Sequence, residues 1–207
     1  ENPRFPPGEE KNDSQFSRDL AAISDRFVMD AFAVAHRAHA STVGLPKLLP
    51  SAMGLLVQRE VESMGRALES PERPLAALLG GAKVSDKLGV VEALLDVVDE
   101  LLIGGGMCFT FLAAQGLKVG TSLLQEDMIP TCKDLLERFG DVIHLPKDVV
   151  VADSFSASAE AKTVPSYEIP DGWMGLDIGP ESVDRFGTVL RAAKTVFWNG
   201  PMCTRNP

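Results

Sequence analysis

The chain has 207 residues, 45% hydrophobic and 24% charged, a globular balance that excludes a disordered or collagen-like polymer and gives one large domain or parts of two. Twenty Lys and Arg against 29 Asp and Glu leave a net charge of −9, which excludes a protein built to track nucleic acid or an anionic membrane and confines any anion site to a local basic cluster. No apolar stretch approaches the roughly 20 residues of a membrane helix, and the odd, widely spaced Cys108, Cys132 and Cys203 make neither a disulfide framework nor a zinc site and suit a reducing, cytoplasmic setting.

The chain opens at Glu1 on residues that read as the interior of a domain, so a piece of something longer is expected. After a turn-rich stretch with Pro3 and Pro6-Pro7-Gly8, a helix is predicted near Gln15–Ser24, then a buried strand over the apolar run Phe27–Val34, broken only by Asp30. Beyond Pro46 and Pro50, apolar residues at Met53, Leu56, Val57, Val61, Met64 and Leu68 keep one face of a 3.6-residue repeat, predicting a helix from Ser51 to Glu69. At ~1.5 Å per residue it is long enough to join two lobes.

From Arg73 the pattern alternates. Strands are predicted at Leu75–Leu79, Glu100–Ile103, Val142–Leu145, Val149–Ala152 and Thr195–Trp198, and helices at Asp86–Val98, Met107–Gln115, Met128–Phe139 and Pro180–Ala193, with a polar loop after Ala152. Near-continuous apolar strands alternating with helices predict an α/β fold with doubly wound, mainly parallel sheets in three layers. Ligands of such folds sit at the carboxyl ends of the strands.

That rim carries glycine three times: Gly80-Gly81 after Leu79, Gly104-Gly105-Gly106 after Ile103, and Gly200 after Asn199. A residue without Cβ lets backbone approach a ligand, and the following helix start offers free N–H groups to an anion. Any one of these pairs could be no more than a tight turn; three on one rim point to a phosphate or nucleotide site. Within Gly80–Lys87, Lys83 and Lys87 stand four residues apart where loop becomes helix, so both ammonium groups are expected on one face. The spacing is not that of a Walker A loop. His36-Arg37-Ala38-His39, with Arg4 in another loop, gathers cations suited to an anion. As zinc ligands His36 and His39 lack a third partner, since His144 lies in the other half.

Val28-Met29-Asp30-Ala31-Phe32, Ala35-His36-Arg37-Ala38-His39-Ala40-Ser41, Leu68-Glu69-Ser70-Pro71-Glu72-Arg73-Pro74, Gly80–Lys87, Gly104-Gly105-Gly106-Met107, Gly172–Pro180 and Phe197-Trp198-Asn199-Gly200-Pro201 together resemble the phosphoglycerate kinase family, in order and over essentially the whole chain. The resemblance implies two Rossmann-like lobes joined by a hinge helix, both incomplete here. Residues 1–47 would end the phosphoglycerate-binding lobe, 48–69 form the hinge helix and 70–207 most of the nucleotide lobe. It implies reversible phosphoryl transfer between 1,3-bisphosphoglycerate and ADP, with Mg2+ accompanying ADP or ATP, in a cytoplasmic, monomeric protein without nucleic-acid or membrane partners. By motif match Arg4 and Arg37, with His36, hold the phosphoglycerate, and Lys83 and Arg37 serve the transfer itself. Lys87 takes nucleotide phosphate, and Gly80, Gly81, Gly105, Gly106, Gly175, Leu176, Asn199 and Pro201 wall the adenosine pocket. Asn206 stands where a ribose-binding glutamate is usual.

The same resemblance places outside this chain a transition-state arginine, a Gly-Gly-Asp-Thr or Gly-Gly-Asp-Ser segment and the protein's ligand for Mg2+. After Pro201 the sequence runs Met202-Cys203-Thr204-Arg205-Asn206-Pro207, unlike the usual Met/Val-Gly-Val-Phe-Glu. A kinase whose isolated 207 residues bind nucleotide weakly and turn over little is therefore expected. A non-catalytic nucleotide-binding or interaction module derived from the same fold is the alternative. A dinucleotide oxidoreductase would need Gly-x-Gly-x-x-Gly opening a helix, which is missing from the sequence.

Overall fold

The apolar runs of the second half organise the computed structural model, which describes residues 2–203 of the chain. The chain divides into two units, Glu1–Glu69 and Ser70–Pro207.

In the first unit, helix α1 (Ser14–Ala21) starts on Asp13, whose carboxylate accepts the Phe16 N–H at 2.8 Å, a standard way to satisfy an orphan helix donor. The run Phe27–Val34 is not the buried strand that its composition suggests. Strand β1 covers only Phe27–Met29, Val28 is 59% exposed, and Phe32–Val34 form a 3-10 turn. The cause is Asp30, whose Oδ1 accepts the N–H groups of Leu56 (2.7 Å) and Val57 (3.1 Å) and so caps a helix distant in sequence. That helix, α2, spans Leu55–Glu69, because Ser51–Met53 are taken by strand β2, parallel to β1 in the register Phe27↔Ser51. Gly54 between them is required: a Cβ there would lie 2.4 Å from the Asp30 carboxylate.

The second unit is built on β3 (Leu75–Leu79), every residue of which is buried. Helix α3 (Leu88–Leu95), strand β4 (Glu100–Ile103), helix α4 (Cys108–Ala114), helix α5 (Ile129–Phe139) and the short β5 (Ile143–His144) follow. Strands β6 (Asp148–Ala152), β7 (Ala161–Pro165) and β8 (Met174–Ile178), helix α6 (Pro180–Ala192) and strand β9 (Thr195–Asn199) complete it. One sheet is wholly parallel, ordered β5-β4-β3-β9, with Leu79 opposite both Ile103 and Asn199. On one of its faces Ala76, Leu78 and Leu102 pack with Phe186 of α6, and Ile178 and Val189 close the edge. Each such leucine contributes about 1.5–3 kcal/mol by leaving water.

A second sheet, antiparallel and ordered β7-β6-β8, replaces the polar loop expected after Ala152. Strand β7 is largely exposed and β8 contains Gly175 and Asp177, so neither has the continuous apolar run that marks a strand buried on both faces. Helix α6 repeats the capping device of α2. The Asp148 carboxylate, on β6, accepts from the Glu181 N–H (3.0 Å), the Ser182 N–H (2.7 Å) and the Ser182 hydroxyl (2.6 Å). A Cβ on Gly179 would come within 2.2 Å of that carboxylate.

Candidate functional site

Parallel register brings the carboxyl ends of β3, β4 and β9 to one rim, and their three glycine turns interlock there. The Gly80 N–H donates to Asn199 O (3.0 Å), Gly104 N–H to Leu79 O (2.8 Å), Gly105 N–H to Met202 O (2.8 Å) and Met107 N–H to Gly81 O (2.9 Å). A Cβ at Gly80 would sit 1.9 Å from the Pro201 carbonyl oxygen, one at Gly105 2.6 Å from Gly81 N, and one at Gly200 2.2 Å from Gly80 O. Gly105 and Gly200 also hold φ of 64° and 90°, a region that side chains disfavour. Sequence reasoning placed these glycines where a ligand approaches; the structure uses most of them to let three turns approach one another.

Beside this knot lies a cavity of about 560 Å3 lined by Gly81, Ala82, Leu123, Gly175, Leu176 and Pro201, together with Thr121, Phe155, Met174 and Cys203. Its size and largely apolar walls suit a small organic ligand. Of the expected pocket residues, Gly81, Gly175, Leu176 and Pro201 line it, whereas Gly80, Gly105 and Asn199 stand in the turn knot and Gly106 lies against Leu123 and Ala82 of the lining. Asn206 lies outside the described residues. Reasoning from sequence missed Thr121, Leu123, Phe155, Met174 and Cys203. Met174 and Cys203 carried a local signal, beside Gly175 and two residues beyond Pro201; Thr121, Leu123 and Phe155 come from segments that meet the site only in the fold.

Gly175 has a further role. Its N–H donates to Ser122 Oγ at 2.8 Å, and a Cβ there would lie 2.0 Å from Phe109 Cζ. The buried ring of α4 thus fills the space a side chain would need.

The two lysines do not share a helix face. Lys83 is exposed on the bend after Gly81, while Lys87 ends the turn Ser85–Lys87, directly before α3. Val84, fully buried, anchors the segment between them, and the Lys87 N–H donates to Val84 O at 2.9 Å. The half-buried Lys87 ammonium donates to Asn199 Oδ1, and its Cε passes 3.0 Å from where a Cβ of Gly81 would be. A cation is thereby held against two of the three glycine turns, beside the cavity wall. Among the described residues, Lys83 has no acidic partner, which leaves its charge available to an anion.

In the first unit, Arg37 and His36 follow the 3-10 turn Phe32–Val34 and both are exposed, as is Arg4 in the opening turn. The loop after Arg37 is pinned: Thr42 Oγ1 donates to Arg37 O and accepts the His39 N–H at 2.9 Å. Buried Glu9 accepts from Ser41 N–H at 3.0 Å and from its hydroxyl, with His39 Nδ1 3.8 Å away. His39 thus lies beside Glu9, while among the described residues neither Arg4 nor Arg37 has an acidic partner. No three His, Cys, Asp or Glu side chains among the described residues could jointly hold a metal ion. Nor is any helix among them long and apolar enough to cross a membrane.

Set against known proteins, residues 1–205 match the family model for phosphoglycerate kinase. The phosphoglycerate kinase of Nocardia farcinica is 62% identical over 98% of this chain and 51% of its own length. That of Corynebacterium urealyticum is 60% identical, with 98% and 52% covered. Among solved structures, phosphoglycerate kinase from Coxiella burnetii superposes with a TM-score of 0.81 at 40% identity, covering 98% of this chain and 53% of that one. The enzyme from Pyrococcus horikoshii gives 0.80 at 28% identity, covering 97% and 53%. The chain spans about half the length of the curated relatives it matches.

Proposed function

The chain belongs to the phosphoglycerate kinase family, and from that premise we propose that it supplies part of the machinery for reversible phosphoryl transfer between 1,3-bisphosphoglycerate and ADP, giving 3-phosphoglycerate and ATP. The observation that carries this reading is the apolar cavity at the strand ends, with Lys87 held beside it against Asn199 and two glycine turns. The adenosine moiety of ADP fills the cavity and its phosphates meet Lys87. Residues 70–207 are accordingly the nucleotide lobe, residues 1–47 belong to the phosphoglycerate lobe, and 48–69 connect them.

Phosphoryl transfer asks little covalent help of a protein; it needs positioning and cations against oxygens that carry developing charge. Lys83 supplies such a cation to the migrating group, and Lys87 to the nucleotide. Arg4, Arg37 and His36 hold phosphoglycerate, the arginine fork matching carboxylate and phosphate oxygens. Mg2+ would neutralise nucleotide phosphate charge. The described residues include no cluster to hold that ion, so the part played by this chain is derived without it. The reading includes a monomeric, cytoplasmic protein whose three cysteines are reduced.

Titration of the 207-residue chain with ADP and with adenosine tests it. ADP should bind, more tightly than adenosine, because only ADP reaches Lys87. Equal binding of the two, or no binding by a folded chain, overturns the assignment.

A further inference from the structure

The exposed middle of the segment that carries both lysines is gripped from outside by one side chain. Gln125, half-buried ahead of the 3-10 turn Glu126–Met128, grips Ser85 with both ends of its amide. Its Oε1 accepts the Ser85 N–H at 3.1 Å and its Nε2 donates to Ser85 Oγ at 2.8 Å. The backbone of Gln125 is itself tied down, its N–H donating to Oγ1 of Thr110 at 3.2 Å. Thr110 is 1% exposed within α4, so this anchor is rigid. Ser85 stands midway between Lys83 and Lys87, and two residues before Gln125 the same stretch places Leu123 on the cavity wall.

We infer that Gln125 is a positioning residue for phosphate binding, clamping the Lys83–Lys87 turn in the one conformation that presents Lys87 to a nucleoside diphosphate. This rests on the reading of the cavity as the nucleotide site and deepens it. The turn needs such a clamp. Within it the backbone tie is the Lys87 N–H to Val84 O, Val84 is the one buried residue while Lys83, Ser85 and Asp86 are exposed, and a lysine directly before a helix opposes the helix dipole. An ordered turn presents its ammonium without first losing conformational freedom, so the clamp is expressed as affinity for phosphate. Adenosine, which has no phosphate, is indifferent to it.

That difference supplies the test. Gln125→Met keeps the length and apolar stem of the side chain and the backbone bond to Thr110 while removing both contacts to Ser85. The 207-residue chain and this variant are titrated with ADP and with adenosine, and unfolding is followed by circular dichroism. The expected result is a roughly three- to tenfold loss of ADP affinity, the scale of one ordinary hydrogen bond, with adenosine affinity and the unfolding midpoint unchanged. Ser85→Ala, at an exposed position, should show a smaller loss with the same selectivity and carries the test alone if Gln125→Met lowers the midpoint. Combining the two should cost no more than Gln125→Met alone, because the second change removes a contact already lost. Unchanged ADP affinity in both variants, or equal losses for ADP and adenosine, overturns the inference while the nucleotide site stands. A parent chain that binds both ligands alike overturns the site itself.

Discussion

Replacing Gly175 with alanine adds one methyl group at the point where the antiparallel sheet meets α4. The new Cβ would lie 2.0 Å from Cζ and 2.3 Å from Cε1 of Phe109, where carbon atoms need ~3.5–4.0 Å, and Phe109 is 1% exposed, so the ring has no solvent to rotate into. Gly175 φ lies outside the left-handed region, so the whole cost is steric. Overpacking of this kind costs about 1–3 kcal/mol, or a fall in midpoint of roughly 3–10 °C for a unit of this size. Thermal unfolding of the parent, Gly175→Ala, Phe109→Leu and the double variant measures it. The double variant should recover part of the loss, since the shorter side chain frees the space that the methyl takes, and the coupling should reach at least about 0.5 kcal/mol. Midpoints equal to the parent for Gly175→Ala, or strictly additive losses in the double variant, would refute the argument that Phe109 is why this position is glycine.

Lys87→Met should weaken ADP binding about 10- to 100-fold, the worth of one charge-assisted hydrogen bond to phosphate, and leave adenosine binding unchanged; calorimetric titration with both ligands checks it. In a coupled assay of the polypeptide that carries this chain, Lys83→Ala should lower kcat roughly 10²–10³-fold, and an unchanged kcat would reduce Lys83 to a surface lysine. Burial alone would raise the Asp148 carboxyl, but the Ser182 hydroxyl and the N–H groups of Ser182 and Glu181 outweigh it and hold the group below its ordinary value. Its contribution to stability is therefore complete above the unfolded value of ~3.9 and lost as pH falls through the lower folded value. Asp148→Asn should be less stable than the parent at pH 7, with the difference shrinking below about pH 4; denaturant curves between pH 2.5 and 7 that stay parallel would disprove this. Burial pushes the Cys132 thiol up to about 11 and, aided by the Asp177 charge, the Cys108 thiol well above the ordinary range, whereas Cys203 is half-buried on the cavity wall. A thiol reagent at pH 8 should thus find one fast thiol, slowed by ADP, with the other two reacting only on unfolding.

The parallel sheet was legible in the sequence because β3 and β4 are buried on both faces, and a strand in that setting must be apolar throughout. The cavity's position was legible for a related reason: each such strand ends where apolar residues give way to glycine, and parallel pairing sends those ends to one rim. The basic residues could be picked out as well, since cations in glycine-rich turns stand out in a chain of net charge −9. Sequence periodicity was silent on β7 and β8, whose residues face solvent, carry charge or leave room for a ring from another element.

Tertiary structure alone decided what the polar residues pair with. Asp30 looks like an interruption of an apolar run and Asp148 stands before one, yet each caps a helix remote in sequence, α2 and α6. Gly54 and Gly179 are the spaces those carboxylates occupy. Gln125 shows no pattern at all until Ser85 is brought to it. Apolar burial follows a strand or helix period and so leaves a trace in the order of residues. A hydrogen bond between distant segments needs only one donor and one acceptor at one separation in space, and no local spacing records it.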